Sequence, residues 1–323
     1  MTVFVTGGTG TVGRSLVARL IAEGNNVRAL ARSAGAAASL REQGAEPVEG
    51  DLSDVRALVT GMRNVEAVFH VAGMNEMCPA DPSPMYRANV DGTRNTVRAA
   101  NSAEVRRLVY TSSAVVLGER KGEIGHERTE HRGYALSHYE RSKALAEEVA
   151  FAEAGAVEVV AVNPSSVQGP GRATGTGKLI LDVLNGRLPV MVDTNVSIVD
   201  IEDCTEGHLL AWRHGSAGER YVVSGFSMSA RDAVDLLARV IGHDLSVRFI
   251  PAWLASVGGG AGAVFAKLRR TGPVFCGEMV RVLLHGHTYD GSRATRDLGL
   301  EYRTPEDTIR RTVSWFASEG LLR

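Results

Sequence analysis

Tyr139-Glu140-Arg141-Ser142-Lys143 sets a phenol and an ammonium four residues apart. On a helix, positions i and i+4 share one face. A neighbouring ammonium favours the phenolate and draws a tyrosine down from its usual pKa of ~10. That moves it toward the range in which it exchanges a proton with an alkoxide. A Tyr-x-x-x-Lys pair alone is weak, because such pairs arise by chance on helix surfaces. Here it opens the helical stretch Ser137–Ala154 that follows the strand-like run Arg107–Thr111. That run ends in Thr111-Ser112-Ser113, and a serine hydroxyl at a strand's carboxyl end can hold and polarise a carbonyl oxygen.

A second constellation lies at the front of the chain. Thr6-Gly7-Gly8-Thr9-Gly10-Thr11-Val12-Gly13 directly follows the apolar run Val3-Phe4-Val5 and leads into the amphipathic stretch Ser15–Glu23. Gly7 suits a tight turn, Gly10 lets the backbone approach a pyrophosphate, and Gly13 lets helix and strand pack closely. Thr11, Val12 and Gly13 then sit at a helix N-terminus, whose free N–H groups favour phosphate. The second strand ends in Arg32-Ser33, without the acidic residue that would take the ribose 2′-hydroxyl of NAD. A cation there suits a 2′-phosphate, so the expected cofactor is NADP, with NAD as the alternative. Asp51-Leu52 closes the third strand, where the aspartate can accept from an adenine amino group or serve as a turn and cap residue. Val71-Ala72-Gly73 closes the fourth with small residues that let a cofactor lie against the backbone.

These residues need a scaffold, and the chain alternates strand-like and helix-like segments. The strand-like runs are 3–5, 26–31, 47–49, 67–71, 107–111 and 157–162. The helix-like ones between them are 15–23, 34–42, 54–61, 84–101 and 137–154. Six short apolar strands separated by helical periods predict a Rossmann-type doubly wound parallel sheet, an α/β fold covered on both faces. After Asn163-Pro164 the pattern loosens through Gly169-Pro170-Gly171-Arg172 and Thr174-Gly175-Thr176-Gly177. Residues 1–163 are read as the dinucleotide-binding domain, with 203–225 returning to it. Residues 164–202 and 226–323 are read as a smaller mixed α/β lobe for the substrate, which would lie between the two.

Composition excludes several classes. The 323 residues are 44% hydrophobic and 23% charged with net charge −1, so nothing favours nucleic acid or an anionic membrane. No Cys/His spacing suggests a metal, and three scattered cysteines, Cys78, Cys204 and Cys276, suggest reduced thiols. No signal-peptide pattern is present, which points to the cytoplasm. Pro251–Ala266 is apolar but shorter than the ~20 residues a bilayer requires, and it reads as a buried or pocket-covering helix pair, with a membrane-surface contact as the alternative.

The chain resembles the extended short-chain dehydrogenase/reductase family, which includes the NAD-dependent epimerase/dehydratases. The resemblance rests on Thr6–Gly13, Asp51-Leu52, Asn89-Val90-Asp91-Gly92-Thr93, Tyr110–Ala114, Tyr139–Lys143 and Asn163-Pro164. It continues through Asp203–His208 and the closing Ser292-Arg293-Ala294, Leu298-Gly299-Leu300 and Thr304-Pro305. It implies Tyr139 as general acid/base, Lys143 lowering its pKa and holding the nicotinamide ribose, and Ser113 rather than Ser112 as catalytic serine. It also implies Asn89 as a structural and proton-relay residue, and Thr111, Pro164 and Ser166 beside the cofactor. A homodimer through 84–101 and 137–154 is the family's common assembly, although monomers occur.

Within the family the chain is most similar to dihydroflavonol-4-reductase-like and hopanoid-associated sugar-epimerase-like proteins. Enzymes on nucleotide sugars carry Asn where this chain has Ser166, and Arg-Asp where it has Val196-Ser197. Without that arginine one expected diphosphate partner is missing, although Lys178 or Arg172 could stand in for it. The expected activity is NADP-dependent interconversion of a small carbonyl and its alcohol. A sugar 4-epimerase or dehydratase and a non-catalytic dinucleotide sensor are the alternatives.

Overall fold

The computed structural model describes residues 1–250 and 276–322. Its strands in chain order are β1 (Thr2–Thr6), β2 (Asn26–Ala31), β3 (Glu46–Glu49), β4 (Ala67–His70), β5 (Arg107–Thr111), β6 (Glu158–Pro164), β7 (Ser166–Gln168), β8 (Val190–Val192), β9 (Asn195–Asp200), β10 (Arg220–Val223), β11 (Phe226–Ser229) and β12 (Arg248–Ile250). The helices are α1 (Thr11–Ala22), α2 (Ala34–Glu42), α3 (Val55–Met62), α4 (Ser83–Tyr86), α5 (Gly92–Ser102), α6 (His138–Ala152), α7 (Thr176–Leu184), α8 (Ile201–His214), α9 (Ala230–Ile241), α10 (Gly277–His285) and α11 (Pro305–Ser318).

Seven strands form one sheet in the order β10-β6-β5-β4-β1-β2-β3, with every pairing parallel. The order reverses between β1 and β4, which opens a crevice beyond their carboxyl ends. Alternation along β1 explains why its residues are apolar without interruption. Val3 and Val5 face Leu16, Val17 and Leu20 of α1 and Leu209 and Trp212 of α8. Phe4 faces Leu58 and Met62 of α3 and Val97 and Ala100 of α5. Each such side chain, fully buried, contributes about 1.5–3 kcal/mol.

β10 joins the outer edge of this sheet beside β6, and α8 packs on α1, β5 and β6. The remaining strands make two small sheets, β11-β9-β7 and β12-β8. They accompany a separate core of Ile180, Leu181, Val234, Leu237, Ile309 and Phe316. Arg303 pairs with Glu202 and Asp203, and Arg311 with Asp200 and Glu202. These pairs tie the C-terminal helix region to α8.

One expected helix is interrupted. The stretch predicted as a single helix over 84–101 consists of α4, a π-helical turn Arg87–Asp91, and α5. The wide turn carries Asn89 into the interior, where it is buried, and the Thr93 hydroxyl donates to the Asn89 carbonyl at 2.6 Å. Such turns inside helices recur at functional sites. The apolar stretch Pro251–Ala266 lies outside the described residues. No helix among the described residues is long and apolar enough to cross a membrane.

The expectation of reduced thiols is overturned for two of the three cysteines. Cys78 and Cys276 form a disulfide with Cα atoms 6.1 Å apart, across 198 residues of sequence, whereas Cys204 is free and buried. The pairing is a product of tertiary structure, so no local spacing announced it. A cross-link closing so long a loop contributes about 2–4 kcal/mol by restricting the unfolded chain. Reductant should therefore lower the unfolding temperature of the wild type by several degrees and leave Cys276→Ser unmoved. Calorimetry with and without reductant checks this, and identical wild-type midpoints would show that the pair is open in solution.

Candidate active site

The site grows from the carboxyl edge of the sheet. The turn after β1 is locked against the end of β4: Gly7 has φ +73°, and a Cβ there would lie 2.6 Å from the Ala72 nitrogen. A Cβ on Gly13 would strike the Gly7 carbonyl oxygen. Gly10 is the N-cap of α1, exposed and without a side-chain cap, so the N–H groups of Thr11, Val12 and Gly13 head the helix with no side chain across them. Turn, glycines and uncapped helix end fit a dinucleotide pyrophosphate. Val71 and Ala72 are half-buried and Gly73 exposed beside this turn, and the Ala72 amide donates to Thr6 Oγ1 at 3.2 Å.

At the adenosine end, Arg32 and Ser33 are both exposed just past β2. Ser33 caps α2, its hydroxyl accepting from the Ala36 amide at 3.2 Å. Arg32 has no charged or hydrogen-bonding partner among the described residues, in contrast to Arg28, which reaches Glu46 and the Arg63 carbonyl. Asp51 turns its Oδ1 back onto the Ser53 amide and hydroxyl, and these bonds hold its carboxyl below the ordinary range. The turn reading of Asp51 is thus the one this structure displays. Leu52 is half-buried, its carbonyl accepting from Asn95 Nδ2.

The catalytic candidates converge where β5 ends and α6 begins. Ser137 caps α6 by accepting from the Glu140 amide, which sets the helix start at His138. Ser113 is buried, and its hydroxyl draws the Tyr139 phenol toward the phenolate. Lys143 is buried one turn further on. Its ammonium donates to Tyr110 Oη and to the Thr111 carbonyl, each at 2.8 Å. The Thr111 hydroxyl is 2.8 Å from His208 Nε2 on α8. Ser112 is buried, with its amide on the Val162 carbonyl. Pro164 ends β6, and Ser166 begins β7 with its hydroxyl on Thr176.

Asn89 works through positioning bonds. Its Oδ1 accepts from the Met74 amide at 2.7 Å, and its Nδ2 donates to the Met74 carbonyl and to Ser142 Oγ, each at 2.9 Å. It clamps the segment after β4 to the same helix that carries Tyr139 and Lys143.

The electrostatics differ from the simple expectation. Burial raises the Tyr139 phenol above its ordinary value, opposed by the Ser113 hydrogen bond and the Arg172 charge. Burial lowers Lys143 to about 7 despite the nearby Glu147 carboxylate. The i, i+4 geometry stands, but desolvation outweighs it, and the Lys143 ammonium is directed at Tyr110 and Thr111. His70, held between Thr6 and Thr93 hydroxyls, is driven by burial to about 3 and stays neutral.

Several site residues carried no signal on their own. His208 sits in the run Asp203–His208 quoted for the family resemblance, yet nothing local said it would reach Thr111. Glu147, buried, accepts from Asn163 Nδ2 and faces Arg220. Glu119, fully buried, takes His287 Nδ1 at 2.6 Å, and Tyr289 Oη lies 2.9 Å from that same nitrogen.

A lysine whose folded pKa lies below its unfolded one holds fewer protons when folded. Between about 7 and 10.5 the unfolded chain binds more protons, so stability rises with pH across that window. Lys143→Met should lack this rise. Denaturant unfolding of both proteins at several pH values through the window checks it, and parallel slopes would refute the burial of the charge.

Residues 3–224 match the family described as the NAD dependent epimerase/dehydratase family. A putative dihydroflavonol 4-reductase of Synechocystis is 33% identical, the match covering 99% of this chain and 96% of that one. Sterol demethylase protein B of Methylococcus capsulatus is 32% identical over the full length of both. The crystal structure of gox2253 superposes with TM-score 0.86 at 30% identity, covering 100% of this chain and 99% of that one. Together with the parallel sheet and the Ser113–Tyr139–Lys143 edge, these matches show that the chain belongs to the NAD-dependent epimerase/dehydratase family of extended short-chain dehydrogenase/reductases and is an oxidoreductase working by hydride transfer with a nicotinamide.

Proposed function

We propose that the protein is an NADP-dependent carbonyl reductase or alcohol dehydrogenase acting on a substrate other than a nucleotide sugar. The buried Ser113 hydroxyl acting on the Tyr139 phenol at the carboxyl end of β5 carries the reading. When bound, the dinucleotide supplies the hydride donor or acceptor. Gly7, Gly10, Thr11, Val12 and Gly13 would hold its pyrophosphate, Arg32 and Ser33 its 2′-phosphate, and Asp51 and Leu52 its adenine side. Val71, Ala72, Gly73, Thr111, Pro164 and Ser166 would line its nicotinamide side. The lobe of residues 164–202 and 226–323 is the substrate side.

Ser113 Oγ donates to the substrate's carbonyl oxygen and polarises it. Tyr139 Oη gives that oxygen a proton as alkoxide character develops, or removes it in the reverse direction. The Lys143 ammonium holds the Tyr110 and Thr111 edge from below, and Asn89 fixes the register of α6 against the segment after β4.

The positions that carry Arg-Asp in nucleotide-sugar enzymes support a different substrate. Val196 pairs with Met228 in the β11–β9 ladder. Ser197 hydrogen-bonds Ser227 and the His287 carbonyl. Lys178 pairs with Asp182. Val196 and Ser197 offer no cation to a diphosphate and Lys178 is already paired, which leaves Arg172, between β7 and α7, as the one unpaired cation there among the described residues.

Tyr139→Phe should lower turnover by the ~10²–10⁴ typical of a lost general acid while cofactor affinity stays near wild type. Steady-state kinetics with calorimetric titration of the cofactor decides, and unchanged turnover removes Tyr139 from the mechanism. NADPH should stabilise the protein against heat more than NADH does. Arg32→Ala should cost NADPH about ten- to a hundredfold in affinity, the range for a hydrogen bond to a charged group. Equal stabilisation by both cofactors would overturn the NADP assignment.

A further inference from the structure

Arg172 lies in the loop between β7 and α7, on the substrate side of the site. Its Nε is buried with no hydrogen-bond partner, and among the described residues its guanidinium meets no carboxylate. Other buried arginines of this chain are paired: Arg132 with Glu140, and Arg107 with Glu158 and the Trp212 carbonyl. The segment 251–275, outside the described residues, contains no Asp or Glu, so no acidic side chain there can complete the pair. The loop's other cation, Lys178, is taken by Asp182.

A guanidinium partly withdrawn from water without a counter-charge is costly, and its planar fork matches a carboxylate. Its charge acts on the Tyr139 phenol and the Cys204 thiol, so it lies within electrostatic reach of the proton-transfer end of the site. The thiol is buried and pushed up to about 12, so it stays neutral. Gly175 leaves room on the other side: a Cβ there would come within 3.1 Å of the Arg172 Nη2.

We propose that Arg172 forms an anion subsite and that the carbonyl substrate carries a single carboxylate that docks on it. One unpaired cation matches one negative charge, and a carboxylate takes two of its N–H groups side by side. The inference rests on the reductase reading for the word substrate, but the subsite itself is a binding claim that can be tested separately.

The test uses the dinucleotide-loaded protein and a series of oxo acids, from pyruvate through 4-oxopentanoate to 6-oxoheptanoate, each with its methyl ester. Wild type should favour acid over ester in kcat/KM. Arg172→Met should reduce that ratio about ten- to a hundredfold, the range for losing a charge-assisted pair, and Arg172→Lys should restore part of it. The unreactive acids butanoate and hexanoate should raise the melting temperature of loaded wild type and not of Arg172→Met. An equal fall for acid and ester with a displaced pH profile means that Arg172 acts on Tyr139, and overturns the subsite. Stronger protection by inorganic phosphate than by any carboxylate overturns the carboxylate assignment. If acids protect through Arg172 but no carbonyl is reduced, the subsite stands and the reductase reading fails. If acids and esters are reduced alike by wild type and variant, the reductase reading stands and the subsite fails. If there is neither protection nor reduction, both fail.

Discussion

A lysine ammonium buried against the end of a β-strand is the constraint on which the rest of the site depends. Lys143 could not remain in the interior without acceptors, and the two it finds, Tyr110 Oη and the Thr111 carbonyl, belong to β5. Those bonds fix the rotation of α6 about its axis. With the axis fixed, the residue one turn earlier, Tyr139, is delivered to Ser113. Burial both weakens the charge, by lowering its pKa to about 7, and strengthens each bond it makes. The same desolvation raises the Tyr139 phenol, so its acidity depends on the charges gathered around it and not on the helix spacing alone.

The surrounding structure reads as support for that one placement. His208 reaches across from α8 to hold the Thr111 hydroxyl, and the Lys143 acceptor on the same residue is thereby steadied from the opposite face of the sheet. Asn89 performs the equivalent task for α6 from the α5 side, and the chain widens a helix turn to bring it there. Glu140, next to Tyr139, is held by Arg132 and the Leu136 amide. Polar groups in the interior are thus joined in short chains, each ending on an element that carries a reacting side chain.

Much of this was legible in the sequence because the relevant signals are local. The six strands of the first half and most of the helices between them follow from short apolar runs and helical periods. The glycine turn follows from its position between strand and helix. Tyr139, Lys143 and the serines could be paired because i, i+4 geometry and a strand end suffice to place them. The parts that were missed are nonlocal. The interruption of 84–101 depends on a buried asparagine finding Met74 and Ser142. The partnership of Thr111 with His208 spans 97 positions. Strands β7, β8, β11 and β12 contain three or four residues each, too few for an alternation to stand out. The cofactor reading of Asp51 competed with a turn reading, and only the observed Ser53 bonds show which one the free chain uses.

The Cys78–Cys276 bond has a topological consequence. It makes residues 78 through 276 a single covalent ring. Asn89, Ser113, Tyr139, Lys143 and Arg172 all lie on that ring, whereas the glycine turn and Arg32 lie on the tail that precedes it. A single break of the backbone anywhere between the two cysteines would open the ring without producing separable pieces. Ser113 and the helix that follows it would stay on one covalent molecule even after a protease had cut between them.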